Sequence, residues 1–255
     1  MLHSTTPNKK KGYFLLSSFI WLFVWHLASI VIGKDILLVS PLVVLKTLFL
    51  LIKEVAFWTT ISFSFTRIVG GFFLALLVGV SLAVLSSQFI FIRFLLNPLT
   101  AVISSTPIVS FIILALIWIP TRNLSLFIAF LMVLPIIYTN TLQGILNTDQ
   151  KLLEMAEVFR IPLYRKIIYI YLPQVMPFFV SACSVGLGLC WKSGIAAEVI
   201  GLPTHSIGER LYEAKIYLST SELFAWTFVI ILISILFEKL FIYFLKKISE
   251  RILAK

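Results

Sequence analysis

The sequence predicts an all-α membrane protein with about six transmembrane helices, and three observations carry that expectation. Of 255 residues, 60% are hydrophobic and only 13% are charged, whereas soluble domains are near half apolar and about a quarter charged. Mean hydropathy is +1.05. The apolar residues also gather in runs close to the ~20 residues that a helix needs to cross about 30 Å of hydrocarbon. Spans and connections use up the chain and leave no room for a nucleotide-binding domain. The net charge of +10 is read as basic flanks that orient spans, so the expected partner is the bilayer and no nucleic acid.

The elements follow in order. Residues 1–12 are polar and carry Lys9, Lys10 and Lys11. Residues 13–32 form the first span. The run is longer than a signal peptide's apolar region, and Ala28-Ser29-Ile30 is a poor cleavage site, so the span is expected to be retained. Residues 33–54 mix Lys34, Asp35, Lys46 and Lys53 with apolar residues and read as an interfacial amphipathic segment. The second span, 57–86, is interrupted only by Arg67, and Gly71, Ala75 and Gly79 give it a small face for close helix packing. In residues 94–119, Pro98 and Pro107 push the residues before them out of helical geometry, which predicts an elbow and then a third span from about Pro107.

Pro120 and Arg122 mark a turn before the fourth span, 124–142. The fifth span covers 167–189, with Gly186 and Gly188 expected at a subunit contact. A mixed segment, 191–221, precedes the sixth span, 223–245. The resulting organisation is an N-terminal part, 1–54, a core of 55–245, and a basic tail, 246–255. With Lys239 counted in the tail, thirteen lysines and arginines fall on one side of the six spans and seven on the other. The positive-inside rule then puts both termini in the cytoplasm. Residues 33–54 and 191–221 face outward.

The longest internal polar stretch, 147–164, is therefore cytoplasmic. Asp149 is a natural N-cap. Leu152, Ala156 and Phe159 recur at i, i+4 and i+7 with Leu153 beside them, the pattern of a short amphipathic helix. Ile161-Pro162 ends it, and Pro162 can open a second helix that rises into the membrane.

Within this stretch Glu154-x-Ala156, then Arg160, then Ile170-x-Leu172-Pro173 match the spacing of the EAA signature of ABC importer permeases, E-A-A-x3-G-x9-I-x-L-P. Met155 replaces an alanine and Arg160 replaces the glycine. A left-handed residue is usual after a helix, and arginine there costs about 1 kcal/mol, so the bend is expected to rest on Ile161-Pro162 instead. Thr66-Arg67-Ile68-Val69-Gly70-Gly71-Phe72, the Asn97-Pro98 and Thr106-Pro107 elbow, and Trp191-Lys192 with Ala196-Ala197-Glu198-Val199-Ile200-Gly201 extend the match. The chain resembles importer permeases of the nitrate/sulfonate/taurine type over roughly residues 55–245.

That resemblance implies the type I ABC importer permease fold in a bacterial cytoplasmic membrane. It implies a loop helix that couples to separate ATPase subunits through Leu152, Leu153, Glu154, Ala156, Glu157, Phe159 and Arg160, with Leu172 and Pro173 closing the motif. ATP and magnesium would be bound by those partners and no cofactor by this chain. An extracytoplasmic solute-binding protein and a second permease copy complete the implied assembly. The implied solutes are small: nitrate, bicarbonate, taurine and other sulfonates, or thiamine-related pyrimidines.

Arg67 is the ionisable residue placed firmly inside a span, where charge is costly and is by default functional or paired. It reads as a contact to an anionic solute or gate, or as a structural or snorkelling residue. Ser104, Ser105 and Thr106 either line a pathway or satisfy backbone groups freed by Pro107. Lys192 and Glu198 form a gate, or a plain lysine–glutamate pair. Two other classes compete with the permease. An ATP-independent carrier or channel would bring internal repeats, and a membrane enzyme would bring paired ionisable groups inside the spans. The sequence displays neither.

Overall fold

The computed structural model describes residues 7–253, so the first six residues of the N-terminal tail and the last two of the basic tail lie outside the described residues. Among the described residues the chain forms α1 (Pro7–Ile32), α2 (Pro41–Leu51), α3 (Val55–Gln88), α4 (Ile90–Ser105), α5 (Ile108–Ala115) and α6 (Thr121–Leu146). A short α7 (Gln150–Val158) and a one-turn α8 (Leu163–Lys166) lead through a π-helical turn (Ile167–Tyr171) into α9 (Leu172–Gly201). Then come α10 (Ile207–Ile216) and α11 (Thr220–Leu253). No strand occurs among the described residues.

Helices α3 and α6 and the continuous stretches Leu163–Gly201 and Thr220–Arg251 are each long and apolar enough to cross a membrane. The pair α4 and α5, bent by 104°, is together long and apolar enough for a broken crossing or a re-entrant loop, and α1, 26 residues long, covers the first expected span. The third span differs from expectation. It does not start at Pro107, because α5 has only 8 residues, about 12 Å and far short of the hydrocarbon thickness. Thr106 is extended at φ −81°, ψ 134°, as the residue before a proline should be, and the break leaves two short helices in place of one. α2 has 11 residues, starts at Pro41 behind the Ser40 cap, and is likewise too short to cross.

The fifth expected span also exceeds its expected length, as α9. It continues to Gly201 rather than stopping near residue 189, because nothing between Cys190 and Gly201 breaks a helix. Its glycines serve close packing: a Cβ on Gly194 would stand 2.6 Å from Ile68 Cγ1 of α3. Leu202, left-handed at φ 47°, ends the helix ahead of Pro203.

The described chain divides into two compact units, one of residues up to Trp58 with Arg210–Val229, the other of Thr59–Glu209 with residues from Ile230 on. In the first, the Trp58 indole donates to the Ile52 carbonyl at 3.0 Å, and the Phe57 and Trp226 rings lie 5.2 Å apart. The Thr220 hydroxyl donates to the Ile36 carbonyl at 2.7 Å. In the second, α6 is the central element. A Cβ on Gly71 of α3 would meet the Leu126 carbonyl oxygen and come within 3.0 Å of Ala129 Cβ, and Gly79 lies as close to Ile137. On α6's other side, Gly144 approaches Val175 and Phe178, and Gly186 faces Val133, so Gly186 is used within the chain and not at the expected subunit contact. A buried cluster of Ile103, Ile112, Leu124, Ile128, Met132 and Ala197 joins α4, α5, α6 and α9. Cys183 and Cys190 are buried and free.

Candidate functional site

The loop between α6 and α9, with the first turn of α9, holds the nine residues that the resemblance assigns to coupling. Asp149 caps α7, its Oδ1 accepting from the Lys151 N–H at 2.9 Å, and its own N–H donates to Gln174 Oε1 of α9 at 2.9 Å. Ala156 is fully buried and Leu153 half-buried, turned toward the protein. Leu152, Met155, Val158 and Phe159 are exposed, the last two at 78% and 73%, and Glu154 and Glu157 are exposed among them. The apolar face expected for Leu152, Leu153, Ala156 and Phe159 is thus split. Two of its residues hold α7 in place and the other two stay in the open.

The end of α7 corrects the expectation for Arg160. Arg160 is left-handed at φ 52°. Its N–H donates to the Glu157 carbonyl at 2.9 Å, and the Ile161 N–H reaches back to the Ala156 carbonyl at 2.8 Å. This pair of bonds is a Schellman motif, so the corner is kept with arginine in the place of glycine, and Ile161-Pro162 only continues from it. Beyond α8 the helix widens. Pro173 has no N–H for the carbonyl four residues back, and the Leu172 N–H bonds to Ile167, five residues back. Leu172 and Pro173 are half-buried in the first turn of α9.

Glu198 lies near the other end of α9 and is completely buried. Its Oε2 accepts the Ser64 hydroxyl at 2.7 Å and the Gly208 N–H at 3.3 Å, while Ser64 Oγ accepts the Ile207 N–H at 2.9 Å. A carboxyl oxygen and a hydroxyl from two other helices therefore satisfy the first amides of α10, where an electron-rich acceptor also suits the helix dipole. Gly208 permits the approach, because a Cβ there would overlap Glu198 Cβ. Glu198 Oε1 and Ser125 Oγ are both buried without a hydrogen-bond partner.

The lysine–glutamate pair considered from sequence does not form. Lys192 is exposed, and six residues of helix put it and Glu198 on different faces. Arg67 is half-buried, makes no ion pair among the described residues, and carries its guanidinium 5.5 Å from the Phe63 ring centre. Of the elbow hydroxyls, Ser105 and Thr106 both donate to the Val102 carbonyl, at 3.3 and 2.7 Å. Ser104 is exposed. The structure gathers the coupling-loop residues into one feature. It does not gather Arg67, Ser104–Thr106, Lys192 and Glu198 into a single cluster.

Comparison with known proteins decides the family. The family described as binding-protein-dependent transport system inner membrane component matches residues 71–254. The chain belongs to this family. The permease is 23% identical over 220 residues to the taurine transport system permease protein TauC of Escherichia coli (strain K12), covering 84% of this chain and 80% of that one. It is 26% identical over 159 residues to the bicarbonate transport system permease protein CmpB of Synechococcus elongatus, covering 62% of this chain and 57% of that one. A Synechocystis CmpB is 24% identical over 194 residues, 76% of this chain and 69% of the relative. The permease is thus an importer permease of the nitrate/sulfonate/taurine type, a multi-pass inner-membrane transport subunit.

Several structurally important residues of the permease were missed by the sequence reading. Glu238 and Lys239 fall inside the expected sixth span, and Glu238 Oε1 accepts the Ser184 hydroxyl at 3.2 Å. An acidic residue in an apolar run was the available signal. For Ser64 and Gly208 there was none, because their roles arise only when α3 and the start of α10 meet at Glu198.

Proposed function

We propose that this permease forms the translocation pathway of an ATP-driven importer for a small solute of the nitrate, bicarbonate or sulfonate class. In this reading it works as a homodimer, with both termini cytoplasmic, two ATPase subunits on the cytoplasmic face and a solute-binding protein on the other. ATP and magnesium belong to the ATPases. The observation that carries the reading is α7, a capped helix pinned through Ala156 and Leu153 that leaves Leu152, Met155, Val158 and Phe159 in the open beside Glu154 and Glu157. Exposed apolar residues rimmed by charge mark an interaction site, and this one stands at the position of the coupling motif.

ATPase closure would push α7, and the capped, left-handed corner at Arg160 passes that push into α8 and α9. Arg67 is the cation available to a passing anion. Lys192 stands exposed on α9, and Glu198, through Ser64 and Gly208, fixes how α10 meets the end of that helix. Ser104, Ser105 and Thr106 sit at the bend of the α4–α5 pair.

The test is Glu154→Lys in the complete importer reconstituted in vesicles. Transport and solute-stimulated ATP hydrolysis should fall at least about tenfold, the effect of placing a like or unpaired charge at a docking contact, while the variant still inserts and dimerises. Undiminished transport would refute the assignment of α7.

A further inference from the structure

Helix α11 is longer than a crossing needs. Its 34 residues extend about 51 Å at 1.5 Å per residue, against about 30 Å of hydrocarbon. The apolar run opens at Leu223, and the ~20 residues of one crossing bring it to Ile242. The surplus therefore lies at the C-terminal end. Lys246, four residues past Ile242, stands about 6 Å beyond the hydrocarbon, inside a headgroup layer of about 5–8 Å.

The exposed side chains sort along one stripe of this helix. Leu232, Leu236, Leu240, Tyr243 and Lys247 recur at i, i+4, i+8, i+11 and i+15, which puts them on one face, and all five are exposed. From the span outward the stripe reads apolar, aromatic, cationic, the order of acyl chain, interface and headgroup. Lys247 Nζ lies 5.9 Å from the Tyr243 ring centre, and Lys239 and Lys246, both exposed, flank the stripe.

Charge on this end is uncompensated. Glu238 is turned inward, its Oε1 accepting the Ser184 hydroxyl, so it does not neutralise Lys239. None of Lys239, Lys246, Lys247 and Arg251 makes an ion pair among the described residues. With Glu250 as the exposed acid beside them, they leave an excess of three positive charges. Helical side chains lean toward the N-terminus of their helix. Because α11 leaves the bilayer C-terminus first, its last basic residues lean back toward the headgroups and not out into solvent.

We propose that this end of α11 binds an anionic phospholipid, its phosphate held by Lys246, Lys247 and the Tyr243 hydroxyl and an acyl chain lying along Leu240, Leu236 and Leu232. A soluble anion has no use for the leucines, and a zwitterionic lipid brings a quaternary ammonium that the excess positive charge repels. The inference needs α11 to cross a bilayer and nothing of the solute or the ATPases, so it stands or falls apart from the Glu154→Lys test.

The experiment uses the purified full-length permease in phosphatidylcholine vesicles that carry an equal small fraction of photoactivatable phosphatidylglycerol or photoactivatable phosphatidylcholine, the reactive group being on an acyl chain. Cross-links are mapped by peptide mass spectrometry. Residues 232–247 should take phosphatidylglycerol at least about fivefold more than phosphatidylcholine, the worth of one basic residue near a charged surface. The ratio should fall at least about threefold in Lys246→Gln/Lys247→Gln. Comparing the two lipids needs no variant, so it decides even if the double variant inserts poorly. Equal labelling by both lipids overturns the proposal, as does a preference undiminished by the double substitution. Excess soluble glycerol phosphate should leave the ratio unchanged, and its collapse would assign the face to a free phosphate and overturn the lipid.

Discussion

Replacing Glu198 by alanine removes an acceptor shared by two buried donors. The Ser64 hydroxyl and the Gly208 N–H, 2.7 and 3.3 Å from Oε2, lose their partner together. Ser64 can recover, since a helical serine can turn its hydroxyl to a carbonyl of the preceding turn. The Gly208 amide cannot, and a buried donor left unsatisfied costs about 1–3 kcal/mol. Losing the partial negative charge of that oxygen at the start of α10 adds at most about 1 kcal/mol. Removing the unpartnered Oε1 gives back a similar amount, because a buried carboxylate oxygen without a partner is itself unfavourable. The net loss is about 2 kcal/mol, or roughly 4–8 °C in melting temperature for a chain of this size. Glu198→Gln keeps an acceptor in the same place and should stay within about 2 °C of the unmodified protein. Thermal melting of the purified permease followed by gel filtration reads the first quantity. Hydrogen exchange at Ile207 and Gly208 reads the specific one, with faster exchange at Gly208 in the alanine variant only. If Glu198→Ala melts with the parent and exchange is unchanged, the carboxylate is not what holds α10.

Arg160→Gly should be neutral or stabilising by up to about 1 kcal/mol, because glycine adopts the left-handed conformation without steric cost but gives up more chain entropy. Arg160→Val should destabilise, since a β-branched residue at φ 52° is a true outlier. Melting curves of the two variants check the pair, and equal behaviour would show that the corner does not depend on this backbone. Gly71→Ala should cost about 1–3 kcal/mol as an overpacked contact, because its Cβ meets the Leu126 carbonyl oxygen and Ala129. Gly188→Ala, with nothing within 4 Å of its Cβ, should be near neutral in the same melting assay.

The helical, multi-pass character was legible because hydrophobic run length reports directly on the membrane. The capped helix α7 was legible because caps and 3.6-residue periodicity are local. Its left-handed corner was misjudged. A local propensity of about 1 kcal/mol was weighed alone, whereas two Schellman hydrogen bonds and the buried Ala156 hold Arg160 in place. The bent α4–α5 pair was half legible. Pro107 announced the break, but the shortness of α5 follows from the turn at residues 116–118 and Pro120, and composition cannot show that an apolar run of adequate length is divided. Glu198 was visible as an acidic residue at a helix end. Its partners were not, because Ser64 is 134 positions away and nothing in the sequence marks the Gly208 amide as a donor to it.

The two ends of α9 carry different kinds of constraint, and this shapes what the helix can transmit. At its start, the α7 corner, the one-turn α8 and the π-helical turn before Pro173 give a section with weaker or rearranged backbone bonding, where a π-turn marks a place that can shift. From Leu172 the helix runs 30 residues, about 45 Å at 1.5 Å per residue, packed along α6 at Gly144 and Gly186 where side chains leave little slack. At its end, Glu198 fixes the first amides of α10 through the side chain and through Ser64. A displacement entering at α7 has a compliant entry, a stiff shaft and a hydrogen-bonded exit. On the proposed reading it should therefore reach the Glu198 end of α9, rather than be lost in bending of that helix. The carboxyl that reads as a gate or as half of a lysine–glutamate pair in the sequence is, in this geometry, completely buried and bonded to Ser64 and to the Gly208 amide.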